Sequence, residues 1–330
     1  MHRAGTRRQG RMPRAFRQEK EQMKLLHFMK KESSGLARTT LELVKYEELA
    51  GHKTCIREPG TETVIWGHLN GDADIELIHS QLHPSSYHNG KPKVMWMHGE
   101  PLSSVGNGVS MKAIVDLAPV CDAFICMRKE EHVIWNSIRR THLVPKGIDL
   151  DVYKPLPGIT EKLSGAPAVL YYENWRGQRN PLLLCLAMQL VHQKIPNARL
   201  HLYNCNDKKM LDTFRALIAN NKWWTFLRSI QGPVDDVNLL LNRVDIAVSC
   251  LYPLYARSIE AFGAGKAFIS AGYKEEGYPW TCDYTPESMA DAIIRCWEGY
   301  DKVDYRKWAE QKHDVQETVR QSIGIYERYL

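Results

Sequence analysis

Short apolar runs alternate along this chain with longer stretches in which apolar residues recur every three or four positions. The alternation is clearest from Gly232 to Gly272. There Val237, Leu240 and Leu241 stand at helical spacing, and Asp245 to Leu251 reads as a buried strand. A helix is predicted from about Arg257, and Ala267 to Ala271 is a second apolar strand. The same rhythm opens the chain, with a strand at Lys24 to Lys30, a turn at Ser33, Ser34 and Gly35, and a helix at Leu36 to Leu49 stopped by Gly51. Further strand candidates lie in Thr63–Leu69, Asp74–Leu82 and Lys91–Pro101, and Cys121–Asn136 reads as strand then helix. After a stretch rich in proline and glycine (Thr141 to Gly158) the rhythm restarts. Strand Ala168–Trp175, helix Pro181–Gln193 and strand Ala198–Cys205 follow. Late in the chain, Thr285, Pro286 and Glu287 announce a capped helix, and a charged amphipathic helix starts near Asp304.

Strands separated by helices are the pattern of parallel sheets, because a parallel pair needs a long crossover. At 330 residues the chain has room for two such domains. The predicted division is a basic tail over 1–23, a first Rossmann-like domain over 24–157 and a second over 158–330. In open parallel sheets ligands bind beyond the carboxyl ends of the strands, so residues there are the candidates for chemistry.

Composition narrows the class. With 44% hydrophobic and 25% charged residues the chain is of the soluble globular kind, and no apolar run approaches the ~18 residues of a membrane span. The net charge of +6 invites a nucleic-acid reading, but its location argues otherwise. Residues 1–23 carry seven bases against two acids, which leaves the body near neutrality. Such a tail reads as a solvated extension, or as a peripheral contact for an anionic lipid or polymer surface. The eight cysteines are scattered through apolar segments with no Cys-x-x-Cys pair, which disfavours a zinc or redox motif. With no apolar signal segment behind the N-terminal charges, they suit a cytoplasmic protein.

Several residues then stand out. His98 ends the buried run Lys91–Met97 and is placed at a ligand edge, where it either serves a substrate or simply caps the strand. Arg176 and Arg179 fall between a strand end and a helix start, where forked guanidinium donors suit phosphate oxygens; solvated loop arginines are the plainer alternative. Arg257, Ser258 and Glu260 fall at the start of the helix in the central unit. A carboxylate there suits a ribose diol, and the helix start suits phosphate. Asp72-Ala73-Asp74 spells a metal-binding Asp-x-Asp, but Asp74 opens a strand and the triplet is common by chance.

These segments resemble the nucleotide-sugar half of retaining glycosyltransferases with two Rossmann-like domains, the family 4-like group. The resemblance is carried by the Gly-x-Val turn, the "DIAVSC" strand and "SIEAFGAGKAFIS", in which Glu260 matches the family's second glutamate and Gly265 its glycine. It is also carried by "THLVPKGIDLDVYKP", close to the family's Val-x-Pro-Asn-Gly-Val-Asp linker. The match spans about residue 24 to the end, loosely before Thr141. It implies an α/β chain of two Rossmann-like domains facing a cleft (GT-B architecture), in which the terminal helix can return to the first domain. The implied activity is transfer of a sugar from a nucleoside diphosphate donor to an acceptor, with retention of configuration. No metal or cofactor is implied beyond that donor. Gly35 would lie under the donor, His98 would approach its sugar, Arg179 would match the family's phosphate-gripping lysine, and Glu260 would hold the ribose. The chain departs from the pattern at Tyr252, where the family has its first glutamate, and Arg176 is displaced from the family's arginine position. Two rival readings follow: a non-catalytic nucleotide-sugar or glycan-binding protein, favoured by Tyr252, and a nucleotide-sugar epimerase, for which no acid–base carboxylate pair is visible. The acceptor class stays open among glycan, lipid, protein and modified nucleic acid.

Overall fold

The structure, a computed structural model, describes residues 22–29, 34–61, 63–69, 72–79, 89–98, 111–173, 181–205, 208–220, 225–250, 255–272 and 277–330. They divide into two compact units. One runs up to Pro145 and includes Val315–Leu330; the other is Lys146–Asp314.

The first unit contains β1 (Lys24–Phe28), α1 (Ser34–Leu49), β2 (Lys53–Arg57), β3 (Val64–Gly67), β4 (Ile75–Ile78), β5 (Lys93–Met97), α2 (Met111–Leu117), β6 (Ala123–Cys126), α3 (Lys129–Asn136) and β7 (Thr141–Leu143). Its seven-stranded sheet has the order β3-β2-β1-β4-β5-β6-β7, parallel throughout except for the antiparallel edge strand β3. Strand order reverses direction between β1 and β4. The alternation of side chains sorts the sheet's two faces. Leu25, Ile75, Leu77, Val94 and Trp96 pack on one side with the C-terminal helix, whereas Leu26, Phe28, Ile78, Met95 and Met97 pack on the other. Met23 was assigned to the tail by the sequence pattern, yet it belongs to this fold. It is 4% exposed and its N–H donates to His52 Nδ1.

The second unit contains β8 (Ala168–Tyr171), α4 (Leu182–Lys194), β9 (Arg199–Leu202), α5 (Lys208–Asn220), β10 (Leu227–Ile230), α6 (Val237–Asn242), β11 (Ile246–Ser249), α7 (Tyr255–Gly263), β12 (Ala267–Ala271), β13 (Thr281–Cys282), α8 (Pro286–Glu298) and α9 (Tyr305–Lys312). The last helix, α10 (Val315–Tyr326), buries Val315, Val319, Ile323 and Tyr326 in the first unit's core. The second sheet is parallel, in the order β10-β9-β8-β11-β12-β13, and its switch point lies between β8 and β11. Helix starts follow their sequence signals. Asp236 caps α6 by accepting from Leu239 N, and Thr285 caps α8 from Ser288 N with Pro286 in the first turn.

The division falls at Pro145 rather than at Gly158, for a physical reason. The proline-rich segment after Lys146 is stitched to the second unit, with Ile148 and Tyr153 in its core. The N–H groups of Lys154 and Leu156 donate to the side-chain oxygens of Asn238 and Asn242 on α6. Asp149, one of the acids of Asp149-Leu150-Asp151, accepts the N–H groups of Asp151 and Val152, so it builds the turn.

Candidate functional site

In the second unit the reversal of strand order brings the carboxyl end of β8 beside that of β11, and α7 starts after β11. The glycine ending this helix has a conformational task. Gly265 adopts φ +73°, its N–H donates to Phe262 O and the next N–H, of Lys266, donates to Ala261 O. That pair of bonds is a Schellman cap, which a residue with a Cβ forms only with strain. Gly263, two residues earlier, allows α7 to press against Ile148 and Tyr153.

The start of α7 holds the unit's charged cluster. Arg257 Nη1 donates to Glu260 Oε2 at 2.9 Å, three residues on along the helix. The guanidinium lies 4.9 Å from the ring centre of Tyr172, whose hydroxyl donates to Arg257 O at 2.6 Å. Burial opposes the charge of Arg257, yet Glu260, Tyr172 and Glu173 together hold it above its ordinary value. Glu260 is 3% exposed and Ser258 is fully buried, so the carboxylate expected to meet a ribose is already engaged with a guanidinium. The cluster therefore presents a paired acid and base at the strand ends rather than a bare carboxylate. Glu173, 1% exposed, and Tyr172 belong to it through their position just beyond β8. The run Tyr171-Tyr172-Glu173, which carries a polar residue at a strand's carboxyl end, is the signal in the sequence that points to these two residues.

Next along the same edge, Asn204 follows β9 with φ +64°, a left-handed conformation that asparagine tolerates. Its N–H donates to Gly232 O and its side-chain amide to Tyr172 O, which fixes the turn against the cluster. A surface concavity lined by Ser164, Asn197, Arg199 and Arg228 lies instead at the amino ends of β8 and β9.

In the first unit, His98 directly follows β5 and is half-buried, with Nε2 2.8 Å from His79 Nδ1. His79 follows β4 and lies in turn 2.9 Å from His27 of β1. His27 and its neighbour Glu47 were not singled out in the sequence, because a lone histidine in an apolar strand and a glutamate in a helix carry no signal by themselves. Gly35, expected in a turn, lies in the first turn of α1. Asp74 accepts the N–H of Lys24 at the amino end of β4, the edge opposite His79. Among the described residues no group of three or more His, Cys, Asp or Glu is placed to hold a metal ion. Arg176, Arg179 and Tyr252 lie outside the described residues. All eight cysteines are buried, and burial pushes the thiols of Cys121, Cys126, Cys185, Cys282 and Cys296 up to about 12, so none of these five is a thiolate near neutral pH.

No family model and no curated protein matches the sequence. Solved structures do match in three dimensions. A glycosyltransferase from Rickettsia africae ESF-5 superposes with a TM-score of 0.73 at 17% identity, over 94% of this chain and 99% of its own. Anabaena Alr3699/HepE in complex with UDP and glucose has a TM-score of 0.67 at 14% identity, over 93% and 100%. AviGT4, a glycosyltransferase involved in avilamycin A biosynthesis, has a TM-score of 0.64 at 13% identity, over 93% and 98%. The chain is thus mixed α/β with two parallel-sheet domains, the fold of GT-B glycosyltransferases.

Proposed function

We propose that this chain is a glycosyltransferase that moves a sugar from a nucleoside diphosphate donor to an acceptor with retention of anomeric configuration. The observation that carries the reading is the cluster at the carboxyl edge of β8 and β11. Arg257, Glu260, Tyr172 and Glu173 gather at the switch point of the second sheet. The chain shares its fold with Anabaena Alr3699/HepE, which has been solved with UDP, with UDP and glucose, and with UDP-glucose. A uridine diphosphate sugar is accordingly the first donor to test.

The chemical demand is to stabilise the diphosphate as its bond to the anomeric carbon breaks, and preorganised donors at the departing oxygens meet it. Arg176 and Arg179 supply guanidinium groups for this, with no metal required. Glu260 accepts from the ribose while Arg257 orients it, Ser258 and Gly35 line the donor's path, and Tyr252 and His98 serve the sugar. No helix among the described residues is long and apolar enough to cross a membrane. Eight buried free thiols suit a cytoplasmic protein.

The test is release of nucleoside diphosphate from sugar donors, followed by chromatography, with and without candidate acceptors. Turnover of one donor by the wild type, lost in Glu260→Gln, supports the reading. Tyr252, in place of the family's first glutamate, favours a second reading, a protein that binds such donors without turning them over. Tight binding of a donor with no release under any condition would establish that one instead.

A further inference from the structure

The buried polar chain in the first unit has a directionality that the fold alone does not require. Strand alternation places His27, His79, Trp96 and His98 on the face of the sheet covered by α1 and α10. His27 and Glu47 are fully buried, and His79 is 4% exposed. The His27 and His79 rings are nearly coplanar, at 13°, with centres 5.1 Å apart, as expected for imidazoles bonded edge to edge. Two nitrogens that face each other at 2.8–2.9 Å need one proton between them, so each ring's tautomer dictates that of the next.

At the inner end, His27 Nε2 and Glu47 Oε2 stand 2.9 Å apart. Neither atom has a hydrogen-bond partner elsewhere among the described residues. Leaving both orphaned is costly, so a proton between them is the chemical solution. Glu47 Oε1 receives the Tyr326 hydroxyl at 3.4 Å, and that hydroxyl in turn accepts from Trp96 Nε1 at 3.1 Å. Burial, and next the charge of Glu47, hold the Tyr326 hydroxyl well above its ordinary value, so it stays a donor. A carboxylate there has an acceptor oxygen for the Tyr326 hydroxyl and a second acceptor oxygen for an imidazole N–H. Burial, reinforced by His98 and His27, keeps His79 well below its ordinary value, hence neutral, with one donor and one acceptor nitrogen.

We propose that Glu47 is a positioning residue that acts through His27 and His79 to fix the tautomer of His98. The Glu47 carboxylate takes the Nε2–H of His27, and His27 Nδ1 then accepts from His79 Nε2–H. His79 Nδ1 accepts from His98 Nε2–H, and His98 is left with an unprotonated Nδ1, an acceptor for a hydroxyl group. The wire stands on its own geometry; its use on a hydroxyl of the transferred sugar rests on the glycosyltransferase reading.

The experiment is nitrogen NMR of the full-length protein labelled with 15N-histidine, without substrate. The wild type is expected to show His27, His79 and His98 neutral and protonated on Nε2, with nitrogen–nitrogen couplings across both imidazole contacts. In Glu47→Gln, the amide carbonyl keeps the Tyr326 hydroxyl while the amide N–H₂ faces His27, so the polarity reverses and all three rings carry the proton on Nδ1. Glu47→Asp, which keeps a carboxylate, retains the wild-type pattern. A wild-type His98 protonated on Nδ1 overturns the proposal whether or not the variants fold, and so does a Glu47→Gln protein whose His98 keeps its tautomer. On a donor that the wild type turns over, Glu47→Gln should lower kcat by about 10- to 100-fold with KM kept, as when a carboxylate behind a metal-bound imidazole is lost. If no donor is turned over but the tautomers are as stated, the donor reading fails and the wire stands.

Discussion

Replacing Glu260 by glutamine tests whether the Arg257–Glu260 pair shapes the candidate site. As an exposed pair three residues apart on a helix it would contribute about 0–1 kcal/mol. Here the carboxylate is 4% exposed and the guanidinium 21%, at 2.9 Å. Breaking a fully buried pair costs about 3–5 kcal/mol, because the surviving charge is left uncompensated. Two features reduce this. The glutamine carbonyl still accepts from Arg257, and the guanidinium keeps the Tyr172 face and the charge of Glu173. The expected loss is therefore about 2 kcal/mol, which lowers the melting temperature of a unit of this size by roughly 4–8 °C. Urea and thermal unfolding of the ligand-free protein, followed by tryptophan fluorescence, measure it. Adding Arg257→Met should recover part of the loss by removing the orphaned cation. A Glu260→Gln protein that unfolds with the wild type would show that the pair acts as a solvated one, and the reasoning from burial would fail.

Three further outcomes are expected, two from packing and burial in the second unit and one from the donor reading. Gly263→Ala places a Cβ 2.8 Å from Tyr153 Cβ and 3.1 Å from Tyr153 O. It should cost about 1–3 kcal/mol in urea unfolding, and an unchanged midpoint would mean that the α7 contact yields freely. Burial, and next Lys162, draw Lys266 down to about 8, against Asp245. Below that pH both folded and unfolded states are protonated and the burial cost is fully present, whereas from about 8 to 10.5 the unfolded state binds more protons and stability rises with pH. Lys266→Met should therefore stabilise at pH 7, with an advantage that shrinks through this window; an advantage that grows with pH contradicts the assignment. Arg179→Ala should weaken nucleoside diphosphate binding by about 1.5–3 kcal/mol in calorimetric titration, and Arg176→Ala by the same or less, whereas unchanged affinity in both would place the phosphates elsewhere.

Where pattern and physics point the same way, the sequence was readable. Ala267–Ala271 is a strand to the residue, Thr285 caps α8 as its sequence implies, and the parallel βαβ order follows from the spacing of the apolar runs. Short elements escaped because too few residues define their period: β2 beside its glycine stop, and β7 inside the segment read as linker. The predicted helix from Asp304 is two, α9 and α10, which meet at His313 and Asp314, because a charged amphipathic period continues unchanged across a break. The helix that carries Glu260 was legible, but the pairing of its carboxylate was not. Glu260 was placed on its helix at the sheet edge, yet its ion pair with Arg257 depends on rotamers and burial that spacing does not encode. His27 and Glu47 became visible only once the parallel order set β1 beside β4, a contact between residues far apart in the chain.

The central claim is that the second unit binds the nucleoside diphosphate part of a sugar donor at the carboxyl edge of β8 and β11. Thermal unfolding of the full chain against a panel of uridine, guanosine, adenosine and thymidine diphosphate sugars tests it most directly. A true donor at one hundred times its Kd should stabilise by about 2.7 kcal/mol, roughly 5–11 °C here. Glu260→Gln should weaken that donor by about 2–3 kcal/mol. A wild-type protein whose melting temperature is unmoved by every donor at millimolar concentration would contradict the account.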